Sequence, residues 1–599
     1  MFDSQQRMGK VAAQSPAQKV VDRAFRDFVK DGHSEETLDS AFQQFVAELL
    51  LRQRGLDDEE ILSGIVDGRE DGGVDALYVF LDGVLVQSDH AALESEDRAV
   101  KIVGDGPRIE VLLVQVKNKS SWQEVALDRL LSTIPTLLED ASTRAYLSSR
   151  FNDVLAEQAM ILRTLSEHLS MKFPKYSFRV VYATKGTEAQ ISQRLRDKSL
   201  QIENSIASLL TPGAAVACDL IGAEGLYELA GAPQAAPAEL RFRNTLIREE
   251  GSYVGIADIA DYLQFVRNEA GDLRSDMFES NVRDFEGSNV VNKSIHRTVA
   301  TSGGAEFWWQ NNGVTVLGRR INAPKQTLTI EQPLIVNGLQ TTHVLHRADK
   351  DKKLHDSRRS EGILVRVIES DDDEVRDQVI AGTNRQTRVE GASLYATDAL
   401  QTHIERYFFA NDWYYERRKN RYKNLGKPAS RRVSIHSLAQ AIMTLDRGEP
   451  DVARARPTTV ITNDYRSVFN TDIGVAAYLK AAQMLASVSS YLRSSEAKSI
   501  INNYSNVRFY LLLGVAMTSV GARDFSGLKF RENHHRIDGH FEPVKLSGVL
   551  KCVARLFDDY ERENPGVTRD AMAKSADFRR YFLEQIPWAQ DALAEKSES

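Results

Sequence analysis

Between residues 67 and 117 the chain reads Asp-Gly-Arg-Glu-Asp-Gly-Gly-Val-Asp (67–75), then an apolar run from Ala76 to Leu81, then Val-Leu-Leu-Val-Gln-Val-Lys (111–117). An acidic residue leaves a glycine turn into one strand, and a second strand ends in Gln-x-Lys. Side chains alternate faces along a strand, so Gln115 and Lys117 share a face with Leu113 behind them. If the two strands pair, Asp75 comes to lie beside that face. A carboxylate, an amide carbonyl and an ammonium then converge. Hard divalent cations take oxygen ligands of this kind, and a phosphate needs a cation near it. The chemistry this arrangement suits is phosphodiester cleavage.

Each piece alone also has a plain explanation. A Gly-Gly turn between acids is often only a turn, and Gln-x-Lys often only a solvated strand face. The ordered combination is more specific: a helix carrying Glu48, then Gly-x-Asp, then a strand with Gln-x-Lys, then a helix. That order resembles the restriction-endonuclease-like superfamily, the PD-(D/E)xK nucleases, and most closely its Mrr-type branch, where Gly-Gly-Ile-Asp precedes Gln-x-Lys. The matching residues are Gly72, Gly73, Val74 and Asp75, then Gln115, Val116 and Lys117. The resemblance covers roughly residues 34 to 225. It implies Mg²⁺ (or Mn²⁺) bound by Asp75, with Glu48 and the Val116 carbonyl as further ligands. Gln115 stands where many members carry an acid, and Lys117 would orient the attacking water or steady charge on the phosphate.

The elements that must position these residues follow from periodicity. Phe42, Phe45, Val46, Leu49 and Leu50 are spaced for an amphipathic helix over 34–54, with Glu48 on it. Residues 74–87 and 110–117 read as strands, 122–170 as helical, Phe178–Ala183 as a strand rich in β-branched and aromatic residues, 187–210 as a helix and 214–221 as a last strand. This order predicts a mixed sheet flanked by helices. An Ala/Pro-rich, uncharged stretch at 231–238 reads as a linker. The predicted organisation is therefore an N-terminal extension (1–33), a nuclease-like domain (34–230), the linker, a mixed α/β middle domain (239–430) and a mostly helical C-terminal part (431–599). The fold class is α/β (α+β).

At 599 residues the chain exceeds one core and suggests about three or four domains. Its net charge of −8 excludes a whole-chain basic field, so any contact with nucleic acid must use local patches. Two cysteines, Cys218 and Cys552, far apart, support neither a disulfide framework nor a zinc cluster and fit the cytoplasm. No apolar run approaches the roughly 20 residues of a membrane span, and the first residues lack the apolar core of a signal peptide.

A second constellation lies in the middle domain. It comprises Phe278-Glu-Ser-Asn-Val-Arg-Asp-Phe285, Phe307-Trp-Trp-Gln-Asn-Asn-Gly313, Ile335-Val-Asn-Gly-Leu-Gln-Thr-Thr342 and Ala381-Gly-Thr-Asn-Arg-Gln-Thr387. Amides both donate and accept, so several beside glycine could read a base or cradle a phosphate. Asn-Gly is equally a simple turn sequence. In this order the clusters resemble the AIPR family, the abortive infection phage-resistance proteins. The residues that carry the likeness are Asn281, Arg283, Asp284, Asn311, Asn312, Gly313, Asn337, Gly338, Gln340, Thr341, Asn384, Gln386, Trp413, Tyr415, Glu416 and Arg417, over roughly residues 240 to 470. The resemblance implies an antiphage setting, a phage-derived trigger and a partner domain of the nuclease kind. A weaker similarity to ParB-like domains adds a nucleotide as a second expected ligand.

Residues 413–432 interleave aromatics with cations: Trp-Tyr-Tyr-Glu-Arg-Arg-Lys-Asn-Arg-Tyr-Lys at 413–423, then Lys427, Arg431 and Arg432. Such segments stack bases and neutralise phosphates. The expected nucleic-acid or nucleotide contacts are Asn312, Asn337, Gln340, Asn384, Gln386, Arg417, Arg418, Lys419 and Arg421. His296, His343, His346, His436 and the pair His534-His535 lack metal-ligand spacing and read as structural. The reading at this point is a Mg²⁺-dependent endonuclease on nucleic acid, DNA favoured over RNA, with no membrane partner and a homodimer by analogy with nucleases of the fold. The alternatives are a binding protein without catalysis and a nucleotide-driven switch.

Overall fold

The computed structural model describes residues 14–31, 37–66, 70–139, 143–231, 237–243, 246–268, 271–274, 277–278, 305–372, 375–376, 378–380, 399–501 and 504–586. Its hydrophobic cores do not mix. Two clusters draw their buried residues from Val21 to Leu226, two from Ala238 to Ile380, and one from Ile404 to Ile586. The mixed α+β architecture and the helical C-terminal part agree with the sequence pattern.

The N-terminal unit is a five-stranded sheet in the order β2-β1-β3-β4-β5, with β1 Ala76–Leu81, β2 Val84–Leu85, β3 Arg108–Lys117, β4 Lys175–Thr184 and β5 Ala215–Ile221. β1 runs antiparallel to β2 and β3, whereas β3, β4 and β5 are parallel. The segment predicted as one strand over 74–87 is a hairpin. Asp82 (φ 48°) and Gly83 (φ 85°) both take left-handed backbone, the signature of a two-residue Asp-Gly hairpin turn. Parallel neighbours need crossovers, which helices supply: Glu124–Leu138 and Asp153–His168 between β3 and β4, and Gln193–Leu209 between β4 and β5. These cover one face of the sheet. α1 (Pro16–Lys30) and α2 (Leu38–Leu51) cover the other, packing Phe25, Phe42, Phe45 and Val46 against Tyr78, Phe80 and Val114. α3 (Asp58–Ser63) follows, started by a capping box between Asp57 and Glu60.

The middle unit holds a second five-stranded sheet, order β12-β9-β13-β8-β7, and a three-stranded one, order β10-β11-β6. Their strands are β6 Ala238–Arg241, β7 Ile247–Glu249, β8 Ser252–Asp258, β9 Val314–Gly318, β10 Arg320–Asn322, β11 Thr327–Glu331, β12 Leu334–Asn337 and β13 Gly362–Glu369. The helix Leu339–Lys350 leaves β12 directly. In the helical part the longest elements are Val475–Leu492, Tyr504–Val520 and Pro543–Glu563. Ile404, Phe408, Tyr415 and Val433 pack in that same C-terminal core. Among the described residues no helix is long and apolar enough to cross a membrane.

Candidate active site

The register of β1 and β3 pairs Ala76 with Val114, and the Asp75 amide continues the ladder onto the Val114 carbonyl at 2.8 Å. Asp75 therefore leaves the Gly-Gly turn opposite Gln115. The turn is fixed from several sides. The Asp71 carboxylate accepts from the Gly73 amide at 2.8 Å, and the Thr133 hydroxyl donates to the Gly72 carbonyl at 2.6 Å. Gly72 (φ 59°) and Gly73 (φ 82°) are left-handed, and a Cβ on Gly73 would lie 2.8 Å from the Arg129 Cβ. Glycine is required here by both backbone and space.

The Asp75 carboxylate is 2% exposed and well supplied with donors. One oxygen accepts from Gln43 Nε2 at 2.5 Å; the other accepts from the Val116 amide at 2.5 Å and from Gln115 Nε2. Gln115 Nε2 also donates to the Val116 carbonyl at 3.2 Å. The remaining oxygens of these two amides, Gln43 Oε1 and Gln115 Oε1, are shielded from solvent and have no hydrogen-bond partner. A buried acceptor left unpaired costs about 1–3 kcal/mol, and two such acceptors flank this one carboxylate. An amide can turn about its last bond and offer oxygen where it now offers nitrogen. The set would then be a carboxylate, two amide oxygens and a backbone carbonyl, all hard donors. This fits one divalent cation, weakly held because one carboxylate supplies its charge. Among the described residues no group of three or more His, Cys, Asp or Glu is placed to hold a metal.

Lys117 ends β3, opposite Thr184 on β4, on the Gln115 face; it is half-buried, and its ammonium forms no ion pair with a described residue. Glu48 is elsewhere. Its carboxylate is 3.6 Å from Lys423 and 3.5 Å from Gln44 Nε2, and it borders a large cleft rather than Asp75. The α2 side chain that reaches Asp75 is Gln43. Gln43 carries no charge, so its residue type alone does not distinguish it from the polar surface of a helix that also bears Glu48.

The amide motifs of the middle unit are partly brought together. Asn311 accepts from the Gly313 amide at 2.9 Å and donates to the Thr341 hydroxyl at 3.0 Å. Gly338 (φ 91°) approaches so closely that a Cβ would lie 2.9 Å from the Gly313 carbonyl. Here Asn-Gly serves as close-packed backbone. Asn312 is exposed and Asn337 half-buried, while both polar atoms of the Gln340 amide are shielded and unpartnered. Asn281, Arg283, Asp284, His296, Asn384 and Gln386 lie outside the described residues.

The cationic segment is turned inward. Arg417 is 2% exposed, with its Nε 2.8 Å from Glu405, and Arg421 reaches the other oxygen of Glu405 at 2.6 Å. Lys419 pairs with Glu60 at 2.6 Å, and Arg418, also buried, borders the cleft. The pairing of Arg417, Lys419 and Arg421 thus runs to carboxylates of this chain. The cleft, about 1470 Å³, lies between all three units and is walled in part by Glu48, Arg52, His346, Lys350, Arg418 and Asn424. His343 and His346, both on the Leu339–Lys350 helix, line it as uncharged rings, since burial holds their pKa down to about 4 and about 3.

Residues 278–526 match the model of one protein family, described as AIPR protein. No curated protein and no solved structure matches the chain. The match takes in the motifs around Asn311, Asn337 and Trp413 and extends into the C-terminal helices.

Proposed function

We propose that the protein is a divalent-cation-dependent endonuclease of antiphage defence, hydrolysing phosphodiester bonds of nucleic acid, DNA in preference to RNA. The AIPR region serves as sensor or clamp. The observation that carries this reading is the pair of partnerless amide oxygens, Gln43 Oε1 and Gln115 Oε1, set around Asp75 with Lys117 on the same sheet face. Asp75, Gln115, Gln43 and the Val116 carbonyl would hold Mg²⁺ or Mn²⁺. When bound, such a cation polarises a phosphate oxygen and lowers the pKa of water. The chain's own residues do the rest. Before a cation binds, Gln43 and Gln115 fix the rotamer of Asp75 by donating to it; Lys117 places its ammonium where negative charge grows on the phosphate, an effect strengthened at a half-buried position. The nuclease resemblance of residues 34–225 supports the same assignment.

The test is incubation of the purified protein with plasmid DNA and with RNA, with Mg²⁺ or Mn²⁺ and then with EDTA. Metal-dependent nicking is expected, abolished by Asp75→Ala or Lys117→Ala in protein that keeps its circular dichroism. Cutting by these variants at the wild-type rate would falsify the assignment. A second reading, a nucleic-acid binder without catalysis, is favoured by the 2% exposure of Asp75. A mobility shift with no metal-dependent product would select it.

A further inference from the structure

The units adhere through charge. No described hydrophobic cluster joins the N-terminal unit to the C-terminal part, since their buried members run from Val21 to Leu226 and from Ile404 to Ile586. In place of a shared apolar core there are ion pairs, densest at α3. Asp58 is 2.7 Å from Lys423 and 2.6 Å from Arg432, Glu59 is 2.7 Å from Arg508, and Glu60 is 2.6 Å from Lys419. Asn420 Nδ2 adds a hydrogen bond to the Gly55 carbonyl at 3.0 Å. Four cations, Lys419 from a turn and Lys423, Arg432 and Arg508 from three separate elements, thus converge on three consecutive carboxylates. A row of closely spaced anions along a backbone is also what a nucleic-acid strand presents.

Two further features belong to the same surface. The cleft of about 1470 Å³ runs beside it, bordered by Glu60, Lys419, Asn420 and Lys423, and is roomier than the 300–1,000 Å³ typical of small-molecule pockets. Aromatic rings adjoin the cations. Phe409 is 57% exposed and lies 6.3 Å from the Tyr414 ring, which in turn lies 5.4 Å from Tyr422 and carries the Lys427 ammonium 5.0 Å from its centroid. Phe409 is the exposed ring of this group, Tyr414 being half-buried and Tyr422 buried, and an exposed ring beside cations can hold an unpaired base without sequence preference.

We propose that Lys419, Lys423, Arg432 and Arg508 form a site for the sugar-phosphate backbone of single-stranded nucleic acid, which the acidic turn 58–60 occupies as an internal competitor. A strand that takes these cations displaces α3 and loosens the N-terminal unit from the AIPR region. Displacement is feasible because ion pairs exchange one anion for another, whereas a shared apolar core would have to be exposed to water. The inference rests on these contacts and not on the hydrolytic reading, so it is tested without metal.

The experiment measures fluorescence anisotropy of a labelled 20-nucleotide single strand, DNA in one arm and RNA in the other, with full-length protein in EDTA across a KCl series. The triple variant D58N/E59Q/E60Q keeps Asp57 as helix cap and a Gln in the capping box. It should bind at least ten-fold tighter than wild type. Its plot of log affinity against log salt should be steeper by about 2, at ~0.7 for each of the three cations fully freed, since Lys423 keeps Glu48 beside it. Hydrogen exchange in peptides spanning 56–63 of the wild type should rise when a strand is added. Phe409→Ala should weaken the strand but not heparin, which has no bases. Equal affinity for wild type and the triple variant overturns the proposal, whether or not exchange shows α3 released. If the triple variant does not fold, K419E/K423E should lose at least ten-fold in strand affinity, and unchanged affinity there overturns it equally.

Discussion

Gln43 and Asp75 lie 32 residues apart in the chain, yet the amide nitrogen of one stands 2.5 Å from the carboxylate of the other. This contact ties α2 to the start of β1 and decides which helix residue belongs to the candidate site. Gln43→Glu places a second carboxylate against the first. Without a cation the two repel, and one must take a proton or move away. We expect a loss of roughly 1–3 kcal/mol in EDTA, by analogy with other unpaired buried groups, recovered on adding Mn²⁺. The check is thermal unfolding with and without metal. A Mn²⁺ shift no larger in Gln43→Glu than in wild type argues that no cation visits Asp75.

Glu48 gives the complementary prediction. Its partner is Lys423 at 3.6 Å, a loose pair at the cleft edge. Glu48→Ala should cost no more than about 1 kcal/mol, as partly exposed ion pairs do, and leave any cleavage rate within two-fold. A loss of activity comparable with that of Asp75→Ala would return Glu48 to the reacting centre.

Arg417 is predicted to be structural. It is 2% exposed, and the Glu405 carboxylate it meets also accepts from Arg421 and from the Tyr422 hydroxyl. Arg417→Ala strands part of a buried charge and should destabilise by about 3–5 kcal/mol, read by urea denaturation. The salt dependence of strand binding should stay as it is. A normal denaturation midpoint with weakened strand binding would reverse this reading.

The histidines of the Leu339–Lys350 helix make a prediction in pH. Burial holds His343 down to about 4, and burial with the Arg267 charge beside it holds His346 down to about 3, below the ordinary 6.5. The folded rings stay neutral while unfolded ones take up protons. Below pH 6.5 the unfolded chain therefore binds more protons, and stability falls as pH drops from there toward 4. Asp57 and Glu416, pushed up to about 7 chiefly by burial, act in the opposite sense over part of that window. The signature is thus a difference: His346→Gln should lose less stability than wild type between pH 6.5 and 4.5. Parallel melting curves for the two proteins would count against a neutral His346.

The strands were legible because burial on a sheet leaves a simple pattern. Ala76 to Leu81 is buried throughout, and the Gln115–Lys117 alternation placed both on one face. The Asp82-Gly83 hairpin is visible in hindsight, since Asp-Gly between apolar runs is a turn signal that a continuous strand reading overrode. Gln43 was not legible. Periodicity tells which stripe of a helix is buried, not which polar residue beside that stripe meets the sheet edge, and Gln43 and Glu48, five residues apart, point about 140° away from each other around the axis. The basic segment was visible as composition, but its partners are about 360 residues away in the chain, as between Lys419 and Glu60. Local sequence shows that cations are present; it cannot show that acids already hold them.

The separation of the apolar cores bears on how the chain is made. A ribosome delivers residues 21 to 226 before any of the helical part exists, and those residues close two clusters with side chains drawn from their own stretch. What they leave facing water at α3 is Asp58, Glu59 and Glu60, groups that stay soluble while synthesis continues. The emerging polypeptide can therefore wait for Lys419 and Arg508 without baring a sticky surface, and final assembly becomes a late electrostatic docking of finished parts.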